Sequence, residues 1–159
     1  KDVTIPATGS APFLAARSFT VNADLVLDKP DASGAVLAWG SKFGGWSLYL
    51  DHGKPTFTWA KSTDPSEMAH IRSRWAMPKG KVTLTMRFAV KDRGGPAEVT
   101  LMHGPEQLAR GTLPGSMLMP SGGGETMDIG RDLGVPVTEY STPQGEIEGD
   151  VPHVVIDFD

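Results

Sequence analysis

GAVLAWGSKFGGWSLYLDHGKPTFTWAK, residues 34–61, is the stretch whose reading decides the fold. It reads as strand, glycine-broken corner, strand, tight turn, strand. Trp46, Leu48 and Leu50 fall on one face of a period-two ladder and Ser47, Tyr49 and Asp51 on the other, because successive strand side chains point to opposite sides. Asp51-His52-Gly53-Lys54 carries turn chemistry, and Phe57 and Trp59 resume the alternation beyond Pro55. The pattern predicts hairpin-linked strands of a half-buried antiparallel sheet. Trp46 and Trp59 share their phase with Leu48, Leu50 and Phe57, which assigns both to the core. Trp39 and Trp75 stay open as surface aromatics, and Phe43, beside Gly44-Gly45, fits an interface plug or a filled corner.

Working outward, the same alternation recurs on both sides. Phe19, Val21, Ala23, Leu25 and Leu27 point inward against Thr20, Asn22 and Asp24, and a turn cluster follows at residues 29–34. After Lys79-Gly80, Val82, Leu84, Met86 and Phe88 point inward against Thr83, Thr85 and Arg87. A turn at residues 92–96 precedes a strand containing Val99 and Leu101, and His103-Gly104-Pro105-Glu106 turns the chain into residues 107–113. Val154, Ile156 and Phe158 form a last alternating strand. Many short strands separated by Gly/Pro turns predict an all-β antiparallel sandwich of jelly-roll type. One segment competes with this pattern: Ser66-Glu67 after Asp64-Pro65 resembles a helix start, and residues 68–75 have room for two helical turns. Residues 117–125, with Gly122-Gly123-Gly124, show no periodicity and read as a mobile loop.

Composition narrows the function. At 159 residues the chain fits one domain, 1–159, of a size that buries about two-thirds of the surface of its unfolded chain. Nineteen Gly and thirteen Pro suit a turn-rich chain with few helices. A net charge of −4 argues against a basic field for nucleic acid, and no run of about 18 apolar residues is present to span a membrane. The absence of Cys removes disulfides, thiolate metal sites and cysteine nucleophiles. Residue 1 is Lys and no leader pattern follows it, which reads as a domain excised from a longer polypeptide.

Catalytic motifs are missing. There is no Gly-x-Ser-x-Gly elbow, and the four histidines, at 52, 70, 103 and 153, are far apart in sequence with no His-Glu-x-x-His pattern. Glu146 and Glu148 fall on one face of an expected strand, where two solvated edge charges are a simpler account than a glycosidase pair. The densest polar constellation is Met127-Asp128-Ile129-Gly130-Arg131-Asp132-Leu133-Gly134. Asp128 and Asp132 are candidate calcium ligands, since Ca²⁺ gathers oxygen ligands on flexible loops. The alternative, which two acids alone favour, is a structural corner. Gly130 and Gly134 would then take positive φ, and Arg131 would pair with a carboxylate or cap strand-end carbonyls.

Four segments in one order carry a family resemblance: GAVLAWGSKFGGWSLYLDHGKPTF, MPKGKVTLTMRFAVKDRGGPAEVTL, ARGTLP, and MDIGRDLGVPVTEY with VVIDF. Together they resemble the C-terminal domain that follows the catalytic domain in bacterial arylsulfatases. The Met102-His103-Gly104-Pro105 turn and the residues after Tyr140 depart from that pattern. The resemblance implies a concanavalin A-like, laminin G-like sandwich that packs on the N-terminal sulfatase domain of the same polypeptide, with a periplasmic or secreted location. Sulfatases use a formylglycine made within Cys/Ser-x-Pro-x-Arg, a motif this sequence lacks, so the chain itself is expected to be non-catalytic and to need no cofactor of its own. The alternative is a free-standing, lectin-like carbohydrate-binding module. A docking domain should display one apolar patch, whereas a sugar binder should display a groove with aromatics and amides.

Overall fold

A computed structural model of the protein describes residues 3–6, 17–92, 95–114 and 126–159. Among the described residues eleven strands form two antiparallel sheets. They are β1 (Val3–Pro6), β2 (Phe19–Leu27), β3 (Gly34–Ser41), β4 (Gly44–Asp51), β5 (Lys54–Ala60), β6 (Met68–Arg72), β7 (Gly80–Val90), β8 (Ala97–His103), β9 (Glu106–Leu113), β10 (Thr126–Ile129) and β11 (Gly149–Phe158). One sheet runs β1-β10-β3-β4-β5-β6 and the other β11-β2-β7-β8-β9. The all-β sandwich expected from the alternation is the fold observed. The loop expected at 117–125, and positions 93–94 of the turn expected at 92–96, lie outside the described residues. Among the described residues no helix is long and apolar enough to cross a membrane.

The two-residue turn His52-Gly53 has φ of 50° and 81°, the left-handed pair that matches the twist of a tight hairpin, and it joins β4 to β5 in register Asp51↔Lys54. The glycine-broken corner of the sequence reading is a second hairpin, in which Lys42 and Phe43 link strands paired Ser41↔Gly44 and Trp39↔Trp46. That pairing buries Trp39, which had stayed open as a surface aromatic: it is 2% exposed and lies 6.3 Å from the Trp46 ring. Trp46 and Trp59 are both buried. Residues 68–75 form no helix. A single 3₁₀ turn, Pro65–Glu67, is capped by the Asp64 carboxylate and gives way at once to β6, whose backbone pairs with β5 along Trp59↔Ala69 and Phe57↔Ile71. The sheet ladder outcompetes a helix of two turns, which is marginal by itself.

Inward side chains of both sheets meet in one aromatic-rich core. Phe19 and Phe88 of one sheet stack at 5.0 Å, Phe19 reaches Trp46 of the other at 6.0 Å, and Trp46 reaches Phe57 at 5.7 Å. The second sheet turns a polar outer face to solvent, laced by Thr83–Asp24 and Thr85–Asn22 hydrogen bonds of 2.8 Å. The first sheet departs from the half-buried expectation. In β3, β4 and β5 the outward positions are buried too: Ser47 and Thr58 are 0% exposed and Tyr49 is 8%. Their cover is an arm, residues 130–148, that has no hydrophobic period of its own. Gly34, with φ of 132°, passes so close to it that a Cβ there would stand 2.3 Å from Ile147 Cα.

Glu148 closes the arm onto the β2–β3 turn. Its carboxylate accepts from Ser33 N at 3.0 Å and from Lys29 Nζ at 3.0 Å, while its backbone joins Asp28 and Ser33. The Ser33 amide first, and Lys29 second, hold the Glu148 carboxyl below its ordinary value. It therefore stabilises the fold at pH above the usual glutamate range, and that contribution disappears as pH falls through the depressed folded value.

Trp46→Ala is expected to cost roughly 3–5 kcal/mol as a cavity-forming change, a large share of the about 5–15 kcal/mol typical of a domain; urea unfolding measures it, and an unchanged midpoint would contradict the core assignment. Glu148→Gln is expected to lower Tm at pH 7 and to melt like the parent near pH 2–3, where the native carboxylate is protonated as well. Melting curves across that range check the convergence.

Candidate functional site

The constellation singled out in the sequence, 127–134, lies where β10 ends and the arm begins. Gly130 and Gly134 have φ of 81° and 71°. Asp128 and Asp132 are 1% and 2% exposed. The Asp128 carboxylate accepts the Leu133 N–H at 2.7 Å, and the Asp132 carboxylate accepts the Val137 N–H at 2.9 Å and the Tyr140 hydroxyl. A buried carboxylate is tolerated when donors such as these replace its water. Tyr140 in turn lies 2.8 Å from Ser47 Oγ and meets the Tyr49 ring edge-on at 5.3 Å, so Asp132 ties the arm to the middle of the sheet. Burial, and secondarily the Asp132 charge, raise the Tyr140 hydroxyl well above its ordinary range and keep it a donor. Arg131 sits partly buried beside this corner. Among the described residues no three His, Asp or Glu side chains gather as a metal site. Glu146 and Glu148 do not share a strand: both precede β11, and Glu148 is the latch described above. The four histidines are dispersed over β6, the β8 end, β11 and the β4–β5 turn.

A different region has the shape of a binding site. The strands β6 and β9 end their respective sheets on the same flank of the sandwich, and between them runs an open groove of about 510 Å³. Its floor is narrow because Gly111 faces Ile71; a Cβ at 111 would stand 2.6 Å from Ile71 Cγ1. A bulge in β9, where the pairing slips between Leu101↔Ala109 and Met102↔Gln107, inserts Leu108 into the core and leaves Gln107 exposed at the rim. Trp75 stands at the other side, 55% exposed.

Trp75 is held there by its neighbours in sequence. Ser73 is buried, its N–H donates to Pro55 O at 2.8 Å, and its hydroxyl accepts from Trp75 N at 3.0 Å and donates to Trp75 O at 2.9 Å. Two residues on, Met77 is buried and its N–H donates to Gly53 O at 2.7 Å. The backbone that carries this indole is fixed on both sides while the ring stays in water. His70, on the neighbouring wall, is hydrogen-bonded through Nδ1 to Thr58 Oγ1 at 2.9 Å, and Thr58 to the Tyr49 hydroxyl at 2.9 Å.

Two other clefts among the described residues lack this combination. One of about 530 Å³ between Val26, Lys81 and Pro152 contains no aromatic residue. One of about 260 Å³ beside the arm contains Tyr49 and Tyr140, whose hydroxyls are already engaged inside the protein. The sequence reading left Trp75 open as a surface aromatic and the structure places it at the groove. Gln107 and the arginines beside it were not singled out, because β6 and β9 are brought together only by the closing of the sandwich.

Solved structures share this architecture. The CBM40 of the Ruminococcus gnavus IT-sialidase bound to α2,3-sialyllactose superposes with a TM-score of 0.63 at 14% identity, over 90% of this chain and 77% of that one. Domains LG4-5 of the mouse laminin α1 chain match with a TM-score of 0.59 at 12% identity, over 99% of this chain and 40% of that one. The fold is a concanavalin A-like, laminin G-like sandwich. A heptameric SAP-like pentraxin from Limulus polyphemus matches with a TM-score of 0.53 at 10% identity, over 98% of this chain and 74% of that one. No protein-family model matches the sequence, and no curated protein matches it. At these identities the likeness establishes the sandwich fold alone.

Removing the Asp132 carboxylate should loosen the arm. Asp132→Ala leaves the Val137 N–H without its acceptor, at about 1–3 kcal/mol for a buried group, and leaves the Tyr140 hydroxyl with Ser47 Oγ alone. Hydrogen exchange is expected to speed up at the Val137 amide while amides of β7 stay protected; unaltered exchange at Val137 would show that the arm is held elsewhere.

Proposed function

We propose that this protein is a non-catalytic carbohydrate-binding module whose glycan lies along the β6–β9 groove. The observation that carries the proposal is Trp75, exposed but anchored through Ser73 and Met77, facing a groove with the Gln107 amide on its rim. A sugar ring presents an apolar face and a polar edge, which an indole plane and an amide complement. The groove is open along its length, which suits part of a chain of sugars. The CBM40 structures bound to α2,3- and α2,6-sialyllactose lend support at the level of fold.

A second reading, the accessory domain of an arylsulfatase packing on a catalytic domain, rests on the sequence segments quoted above. Residues 34–57 hold the first of them, and nearly all of these positions are buried or form the hairpin turns. They report how this sandwich is built more than what it meets. The large exposed apolar side chains among the described residues are Phe43, Trp75 and Val155, set on three different elements, where a docking face would gather them. The likenesses found supply no link to an arylsulfatase. Both readings agree that the chain performs no chemistry of its own.

In the same proposal Asp128 and Asp132 fasten the arm and calcium is not required. Calcium or EDTA is then expected to leave Tm unchanged; a cation filled to 100 times its Kd would add about 2.7 kcal/mol, a shift of several degrees. Binding itself is tested by a glycan array followed by calorimetry with the purified protein. Trp75→Ala is expected to weaken the best ligand at least about tenfold, 1.4 kcal/mol, without a change in Tm. Full affinity in Trp75→Ala would move the site away from this groove.

A further inference from the structure

The charges around the groove are one-sided. The chain contains seven arginines and is acidic as a whole, with a net charge of −4. Three of those arginines, Arg72, Arg74 and Arg110, line the groove together with His70, and no aspartate or glutamate does. Electropositive concentration in one cleft of an acidic protein focuses the field there.

The three arginines differ in how much charge they have to offer. Arg72 is paired with Asp51 at 2.9 Å and Arg110 with Glu98 at 2.7 Å, both carboxylates lying outside the lining. The Glu98 contact raises the Arg110 guanidinium further above its ordinary value. Those two are walls whose charge is largely balanced. Arg74 is exposed, lies one residue before Trp75, and makes no ion pair with any described residue. Among the described residues the groove therefore presents one guanidinium without an ion pair beside one exposed indole.

Resting on the carbohydrate reading above, we infer that the groove selects a sugar bearing a single carboxylate, with Arg74 receiving the acid and Trp75 receiving the ring. A guanidinium fork matches a carboxylate with two parallel hydrogen bonds, which a neutral hydroxyl pair cannot equal in charge. A densely sulfated chain is a poorer match, since it brings several anionic groups to a groove in which Asp51 and Glu98 already neutralise two of the three arginines.

Calorimetry with the intact protein against lactose, 3′-sialyllactose, a disaccharide ending in glucuronic acid, and a heparin fragment tests this. At least one of the two carboxylated sugars is expected to bind tenfold or more tightly than lactose. The two carboxylate arms separate a sialic acid from a uronic acid as the source of the charge. Arg74→Gln should reduce the preference over lactose to less than threefold, Arg74→Lys should retain part of it, and Trp75→Ala should weaken acidic and neutral sugars alike. If lactose binds as well as the acidic sugars, if Arg74→Gln keeps the preference, or if heparin binds most tightly and independently of Arg74, the inference fails while the carbohydrate reading stands. If no sugar of any class binds at millimolar concentration, both fall.

Discussion

Strands β3, β4 and β5 have to be dry on both faces, and much of the rest follows from that constraint. The inner face is served by the other sheet, as in any sandwich. The outer face bears Ser47, Tyr49 and Thr58, polar groups that are costly to bury unless each finds a partner. Tyr49 and Thr58 satisfy one another, and Ser47 meets Tyr140 from the arm. The arm can lie there only because the Asp132 carboxylate gathers its own backbone and the Tyr140 hydroxyl at one point. A charged side chain thus does work usually left to apolar contacts. The hydrogen bonds fix the arm in one place, while its weak apolar period could not specify a position.

The same arrangement leaves the opposite flank open. The arm covers the middle of its sheet, and among the groove's walls His70 connects to it through Thr58 and Tyr49. The groove is built instead from two edge strands that lack further partners. Edges of this kind invite unwanted pairing with other chains. Here β6 is five residues long and ends in Arg72, with Arg74 two residues on, and β9 is bulged at Leu108, features that blunt pairing and also give the groove its rim.

Legibility of the sequence followed the strength of each periodic signal. Phe19 to Leu27 and Val82 to Phe88 alternate because one side of their sheet is wet, and there the pattern translates directly into inward and outward positions. In β3 and β4 the outer face is covered as well, so the polar phase at Ser47 and Tyr49 looked solvated when it is buried. Trp39 was ambiguous for the same reason: its strand is apolar on both phases, and only the cross-strand pairing with Trp46 fixes its side. Residues 68–75 have helix-start chemistry at Asp64-Pro65, and that chemistry was spent on one 3₁₀ turn before the edge of β5 captured the chain. The groove was the least legible part. Its two walls, near residues 70–75 and 107–112, are distant in sequence and share no motif.

The positions of the edge strands also fix where this domain can be held. The first strand, β1, and the last, β11, each close their sheet at the border opposite to β6 and β9. A tether, a support or a neighbouring domain joined through either strand would therefore pull from the flank away from Trp75 and Arg74. The sandwich can be grafted or immobilised by its ends with the β6–β9 groove facing outward.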